Sequence, residues 1–214
     1  MKNVLKIVGI ILIILIVIFA IHTIRNYVII TNLQNKIGTY INSDNYFIEN
    51  STKQGDAVSM RLKCYKKGNK QVTFLDTISN DKKTLVSAYS NGEKNTVYTE
   101  TDGLKEVNTN IKEISTVSLH NYLETDNNWQ TFINGISANV KSTTVNGKDC
   151  YLIKGFMSST GSASNDIEVY VEKDTGLLLK VVDGDSTTES SYEFNNVDDS
   201  IFVEPDVSQY TVKE

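Results

Sequence analysis

Proline is nearly missing from this 214-residue chain: the single one is Pro205, so no segment before it is barred from lying inside a sheet. Histidine occurs only as His22 and His120, cysteine only as Cys64 and Cys150, and tryptophan only as Trp129. A Ser-His-Asp or Cys-His site would have to use His120, and no serine sits in a G-x-S-x-G elbow. There is no G-x-G-x-x-G, no phosphate loop and no H-E-x-x-H. Asp183, Asp185 and Glu189 miss the twelve-residue calcium pattern, and Asp183-Gly184 already reads as a hairpin turn. Asp198-Asp199 reads as a solvated turn rather than a catalytic pair. The expectation is a protein that is not an enzyme, with no catalytic, cofactor-binding or metal residues and no cofactor.

Acid is also absent from residues 1–43, which carry only Lys2, Lys6, Arg25 and Lys36 as charges. The remainder therefore holds 17 of the 21 basic and all 26 acidic side chains, a net charge of −9. So acidic a domain repels phosphate backbones, which excludes nucleic acid as a partner.

What is present at the amino terminus is oil. Ile7 to Ile21 are all apolar or glycine, and after His22 and Thr23 the pattern resumes at Ile24 and runs to Ile30. A hydrocarbon core of about 30 Å takes about 20 helical residues, which Ile7 to Tyr27 supply. The competing reading, a cleaved secretory signal, needs an A-x-A-like site. Only Ala20 resembles one, and Ile18 is too large for the position before it. No cysteine follows closely enough for lipid attachment. The expectation is an uncleaved signal anchor at residues 1–28. Lys2 and Lys6 against Arg25 bias its amino end to the cytoplasm, leaving residues 29–214 as an extracytoplasmic domain of a single-pass cell-membrane protein.

Beyond the anchor, Ile29, Leu33, Ile37 and Ile41 recur every four residues, an apolar stripe on a helix that Asn42 to Asn45 should end. From Tyr46 the period changes to two. Val58, Met60, Leu62 and Cys64 alternate with polar neighbours, and Gly68-Asn69 turns the chain into Val72 and Phe74. Asn80-Asp81, Asn91-Gly92 and Asp102-Gly103 punctuate further strands of an antiparallel meander. Trp129, Phe132, Ile133 and Ile136 then mark a helix that Asp126 or Asn127 can cap, and a shorter one is expected around Ile111 to Leu123. Strands return around the Asn146-Gly147 hairpin, then at Ile167 to Val171, Leu177 to Val181 and Tyr192 to Phe194, with Ser158 to Asn165 read as a loop.

Cys64 and Cys150 fall on strands in the two halves of the sheet. Outside the cytoplasm a disulfide between them would close a loop of about 86 residues and contribute about 4 kcal/mol, and two buried free thiols are the alternative.

This order of elements resembles the LolA-type lipoprotein carriers over roughly Ile29 to Tyr210. Lys66-Lys67-Gly68-Asn69-Lys70, Val145 to Tyr151, Val169 to Leu177 and the ending Tyr192 to Asn196, Ile201-Phe202 and Pro205 carry the resemblance. It implies an α+β fold, a curved antiparallel half-barrel sheet of about 11 strands with helices on its concave face; the one N-terminal transmembrane helix expected before it is this chain's departure from a diffusing carrier. It also implies a lipid, acyl chain or lipoprotein in an apolar cavity. The expected cavity residues are Val58, Met60, Leu62, Val72, Phe74, Trp129, Phe132, Ile133, Ile136, Val169, Val171, Leu179 and Phe194. A tethered chain does not shuttle between membranes, so a fixed binding protein is expected, with a protein-interaction or envelope-signalling module as the alternative.

Overall fold

The computed structural model describes residues 2–79, 82–109, 111–112, 128–155 and 167–213. The helix expected around Ile111 to Leu123 lies outside these except for Ile111 and Lys112, as do His120, the cap at Asp126 or Asn127, and the Ser158 to Asn165 loop. The chain falls into two compact units, one from residues 1–38 and 120–178, the other from residues 39–119 and 179–214.

The anchor and the striped helix are one element, α1 (Lys2–Ile41), about 60 Å long. Among the described residues it is the one helix long and apolar enough to cross a membrane. Ile7 to Ile21 are exposed on every side, whereas Ile30, Leu33 and Ile37 are almost fully buried. Burying each of those three contributes about 1.5–3 kcal/mol. The helix stops where Asn42 to Asn45 begin, and the Ser43 amide donates back to the Tyr40 carbonyl at 2.9 Å.

In the first unit, α1 is joined by α2 (Asn128–Ser137) and by β7 (Asn139–Val145), β8 (Lys148–Lys154) and β9 (Ile167–Glu172), numbered in chain order with the strands below. Asn146 (φ 51°) and Gly147 (φ 79°) both take positive φ, as the two-residue turn between β7 and β8 requires. Val140, Ile153 and Val169 are direct cross-strand neighbours and all are buried. Gly176, after β9, lies so close to α1 that a Cβ there would stand 2.3 Å from the Leu33 carbonyl oxygen, at φ +75°. Only glycine fits.

The second unit holds β1 (Asn45–Gln54), β2 (Ala57–Lys67), β3 (Lys70–Ser79), β4 (Lys82–Ser90), β5 (Asn95–Thr101), β6 (Leu104–Asn108), β10 (Leu178–Asp183), β11 (Ser186–Phe194) and β12 (Thr211–Lys213). Their order is β12-β6-β5-β4-β3-β2-β1-β11-β10. The meander β1 to β6 is as expected, and β11 pairs antiparallel with β1, bringing the end of the chain back to its beginning. The twelfth strand, β12, was not expected: three residues are too few to display a period, and it runs parallel to β6 at the edge. Two short 3-10 turns, Asp199–Phe202 and Val207–Gln209, lead into it, capped by the Asp198 and Asp206 carboxylates.

Candidate binding face of the second unit

Strand register decides which side chains share a face, because side chains alternate and directly paired residues point the same way. The Gly68-Asn69 turn sets Lys67 opposite Lys70, so Tyr65 faces Val72 and Lys63 faces Phe74. Tyr89 and Thr96 continue the first row, while Ser87, Tyr98 and Val107 continue the second. Cys64, Leu62 and Met60 stand instead with Thr73, Leu75 and Thr77 on the other side.

Tyr65 and Phe74 belong to a file of rings across the first face. Phe47 stacks on Tyr65 at 4.5 Å between centroids, and Tyr65 to Phe74 and Phe74 to Tyr89 are edge contacts of 6.1 Å. Tyr89 to Tyr98 at 5.7 Å and Tyr98 to Tyr210 at 4.9 Å complete it. Each such pair adds about 0.5–1.5 kcal/mol beyond its area burial.

The C-terminal segment covers one end of this face, where Ile201, Phe202 and Tyr210 pack on Val72, Tyr89, Tyr98 and Val107. The Tyr98 hydroxyl donates to Glu204 at 2.9 Å, and that of Tyr210 to Glu100 at 2.6 Å. The bond to Glu100 comes first among the causes that push the Tyr210 phenol up to about 12. Burial, then the bond to Glu204, raises that of Tyr98. Glu100 is held below the usual carboxylate range, first by Tyr210 and then by Lys105.

Beyond the reach of the C-terminal segment the face carries two adjoining hollows. One, of about 300 Å³, is lined by Arg61, Lys63, Phe74, Asp76 and Leu85 among others; the second, of about 170 Å³, by Val58, Met60, Arg61, Asp76 and Ile78. Arg61 and Asp76, direct cross-strand partners, line both. Ile78 is 51% exposed and Leu85 39%, so oily side chains here meet water. Arg61 and Lys63 each approach Glu49, at 3.6 and 3.7 Å, and Lys83 approaches Asp76 at 3.1 Å, so each of these cations has a carboxylate beside it. A bulge at Ser59, where the register slips between Thr52 and Lys53, breaks the alternation beside Val58.

Within the second unit the expected cavity residues fall on both faces of the sheet. Phe74 and Val58 line the groove just described from its own face, and Met60, which the register turns to the other side, borders it at β2. Val72, in the ring core, is fully buried. Leu62 is on the opposite face, as is Phe194, paired with Tyr46 and 4.7 Å from the Tyr40 ring. Leu179 is buried on β10 of the same unit. Val169 and Val171 are wholly buried in the first unit, where Ile133 and Ile136 are half-buried on α2. The side chains of Trp129 and Phe132 lie outside those described. Arg61, Asp76, Ile78 and Leu85 escaped the sequence reading. The two-residue turn held the signal, since counting back from it pairs Lys63 with Phe74 and Arg61 with Asp76.

Cys64 and Cys150 are each fully buried, one in each unit. Cys64 stands between Ile48 and Thr73 in the second unit, and Cys150 between Thr143 and Glu172 in the first. Burial pushes the Cys150 thiol up, away from the reactive thiolate. Among the described residues no three His, Cys, Asp or Glu side chains are grouped to hold a metal ion.

No protein-family model matches the chain, and no curated protein does. Among solved structures it is similar to the crystal structure of a LolA superfamily protein from Nitrosomonas europaea, with 10% identity, 81% of this chain and 97% of that one covered, and a TM-score of 0.26.

Proposed function

We propose that this chain is a membrane-anchored, non-catalytic binding protein whose extracytoplasmic domain, residues 29–214, receives an acyl chain of a lipid or lipoprotein. The reading takes the sequence resemblance to the LolA-type carriers as its frame, with a half-barrel whose helices cover the concave face. The apolar stretch of α1, exposed from Ile7 to Ile21, supports a single-pass anchor, with Lys2 and Lys6 favouring a cytoplasmic amino end.

One observation carries the ligand class: the groove where Phe74, Leu85 and Ile78 stand open beside Arg61 and Asp76, on a face whose other end is sealed by the C-terminal segment. Pockets that take small apolar ligands run from about 300 Å³ upward and combine an apolar wall with a few fixed polar groups. The hollow beside Phe74 meets the lower bound, and its neighbour lengthens it along the strands. A photoreactive fatty acid offered to the full chain in detergent tests the reading. Labelling is expected on peptides from β2 to β4 and should be competed by unlabelled fatty acid. Labelling confined to α1 would argue for nonspecific uptake by the anchor instead.

A further inference from the structure

Two helices of the first unit meet where the bare part of α1 ends. From Lys6 to His22 every residue of α1 is exposed; at Thr23 the pattern breaks, and Thr23 and Asn26 are buried. Their cover is α2. A Cβ at Gly135 would stand 3.0 Å from that of Tyr27 and 3.3 Å from the Thr23 carbonyl oxygen, and the Asn26 amide donates to the Ala138 carbonyl at 2.7 Å. The change from a helix open on all sides to one partnered by protein therefore falls between His22 and Thr23.

That change fixes a level. Lipid surrounds α1 only where no protein does, so the hydrocarbon core ends at or before His22. Counted back from Ile21, about 20 residues cross it and reach Lys2, a span nearer the amino end than Ile7 to Tyr27. Lys6 then stands about one turn inside, and its stem reaches the inner surface. On the outer side the headgroup layer takes up the next 5–7 Å or so, about the rise from Ile21 to Tyr27. Thr23 is about 3 Å and Tyr27 about 9 Å beyond Ile21, so the end of α2 that touches them stands in or against the headgroups.

The composition of α2 suits that place. Asn128–Ser137 carries no charge, and Trp129 in its first turn is of a residue type that collects at membrane interfaces. Gly135 faces α1; Ile136 is about 100° and Ile133 about 160° round the helix from it, in the same sense. Both are only half-buried, and this apolar side does not face α1. On α1 itself Ile24, about 5 Å beyond Ile21, is 62% exposed, so oil still faces outward at this level.

We infer that α2 lies on the outer surface of the bilayer, with Ile133 and Ile136 at the boundary between headgroups and acyl chains, and that its partner is the phospholipid around α1. The inference rests on the anchor reading. Its consequence is a fixed depth for α1, because α2, held through Gly135 and Asn26, stops the helix from sinking further.

The test places the full chain in phosphatidylcholine vesicles and uses brominated lipids to quench tryptophan emission. Trp129 is the only tryptophan, so W129F/I136W and W129F/I14W each leave one indole, at the end of α2 and in the middle of the apolar stretch. The first should emit to the blue and lose emission to bromine near the headgroup more than to bromine near the chain ends; the second should show the reverse order. Quenching of the I14W chain with none of the I136W chain overturns the inference and leaves the anchor standing. Quenching of neither sinks the anchor, and the inference with it. The unsubstituted chain gives an independent reading: a phospholipid with a photoreactive group at its glycerol should label the peptide that holds Asn128–Ser137, and label confined to α1 overturns the inference.

Discussion

The Tyr210 phenol and the Glu100 carboxylate meet at 2.6 Å, and through that bond the segment just before β12 is fastened to β5. The adjacent pair, Tyr98 and Glu204, repeats the arrangement with donor and acceptor exchanged between sheet and C-terminal segment. Two phenols and two carboxylates thus hold the cover on the ring file.

Tyr210→Phe removes the hydroxyl and keeps the ring against Tyr98. A hydrogen bond to a charged group contributes about 1.5–3 kcal/mol when buried; Glu100 is partly exposed, so about 1 kcal/mol of stability is expected to be lost. Urea denaturation of the variant reads it, and an unchanged midpoint would remove the bond from the account.

The same fastening has a pH signature at both ends. Glu100 titrates lower in the fold than when unfolded, so its contribution is complete above the ordinary carboxylate value and disappears as the pH falls through the folded one. Asp198 and Asp206, lowered by their bonds to Ser200 and Ser208, act in the same direction. Tyr210, raised to about 12, retains its proton in the fold after the unfolded phenol has lost it, so stability falls as the pH rises from about 10 towards 12. Hydrogen exchange at the Ser200, Ser208 and Tyr210 amides should accelerate in acid before that of β1 to β4. Simultaneous acceleration would mean that the segment does not open separately.

Gly176→Ala should be among the most damaging small changes. The added methyl meets the Leu33 carbonyl oxygen at 2.3 Å and the Ile37 nitrogen at 3.0 Å, both backbone atoms of α1, at a φ that L residues avoid. A loss of about 2–4 kcal/mol is expected by thermal or chemical unfolding. A neutral result would contradict the close approach of this turn to the helix.

Asn26 is wholly buried, and its side-chain amide donates to the Ala138 carbonyl at 2.7 Å and to the Gly135 carbonyl at 3.4 Å, closing the end of α2. Gly135 allows that approach, since a Cβ there would lie 3.0 Å from the Cβ of Tyr27. Asn26→Ala leaves those carbonyls without their donor and should cost about 1–3 kcal/mol. Faster amide exchange across α2 is the expected readout; exchange equal to wild type would mean that the cap does not hold the helix.

The meander was legible because alternation and turn residues agree from Tyr46 to Thr101, and the Asn146-Gly147 hairpin because only positive φ fits its turn. The single helix from Lys2 to Ile41 was legible in two pieces, as a wholly apolar stretch and as a four-residue stripe. The shared wall was not. Alternation says which residues of one strand share a face, but joining Met60 and Leu62 to Val72 and Phe74 needs the register, and Lys63 opposite Phe74 puts them on different sides. Burial also separates residues of equal oiliness: Val72 and Val171 are wholly enclosed, while Leu85 and Ile78 remain open.

The central claim is that an acyl chain occupies the groove beside Phe74. Lipid extraction and mass spectrometry of the purified full chain, as wild type and as Leu85→Asp, test it most directly. About one acyl-bearing molecule per wild-type chain is expected, and at least about tenfold less on the variant, since a charge at a half-exposed groove position repels the chain without entering the core. Wild-type protein that carries no such molecule, or a variant that carries as much, would contradict it.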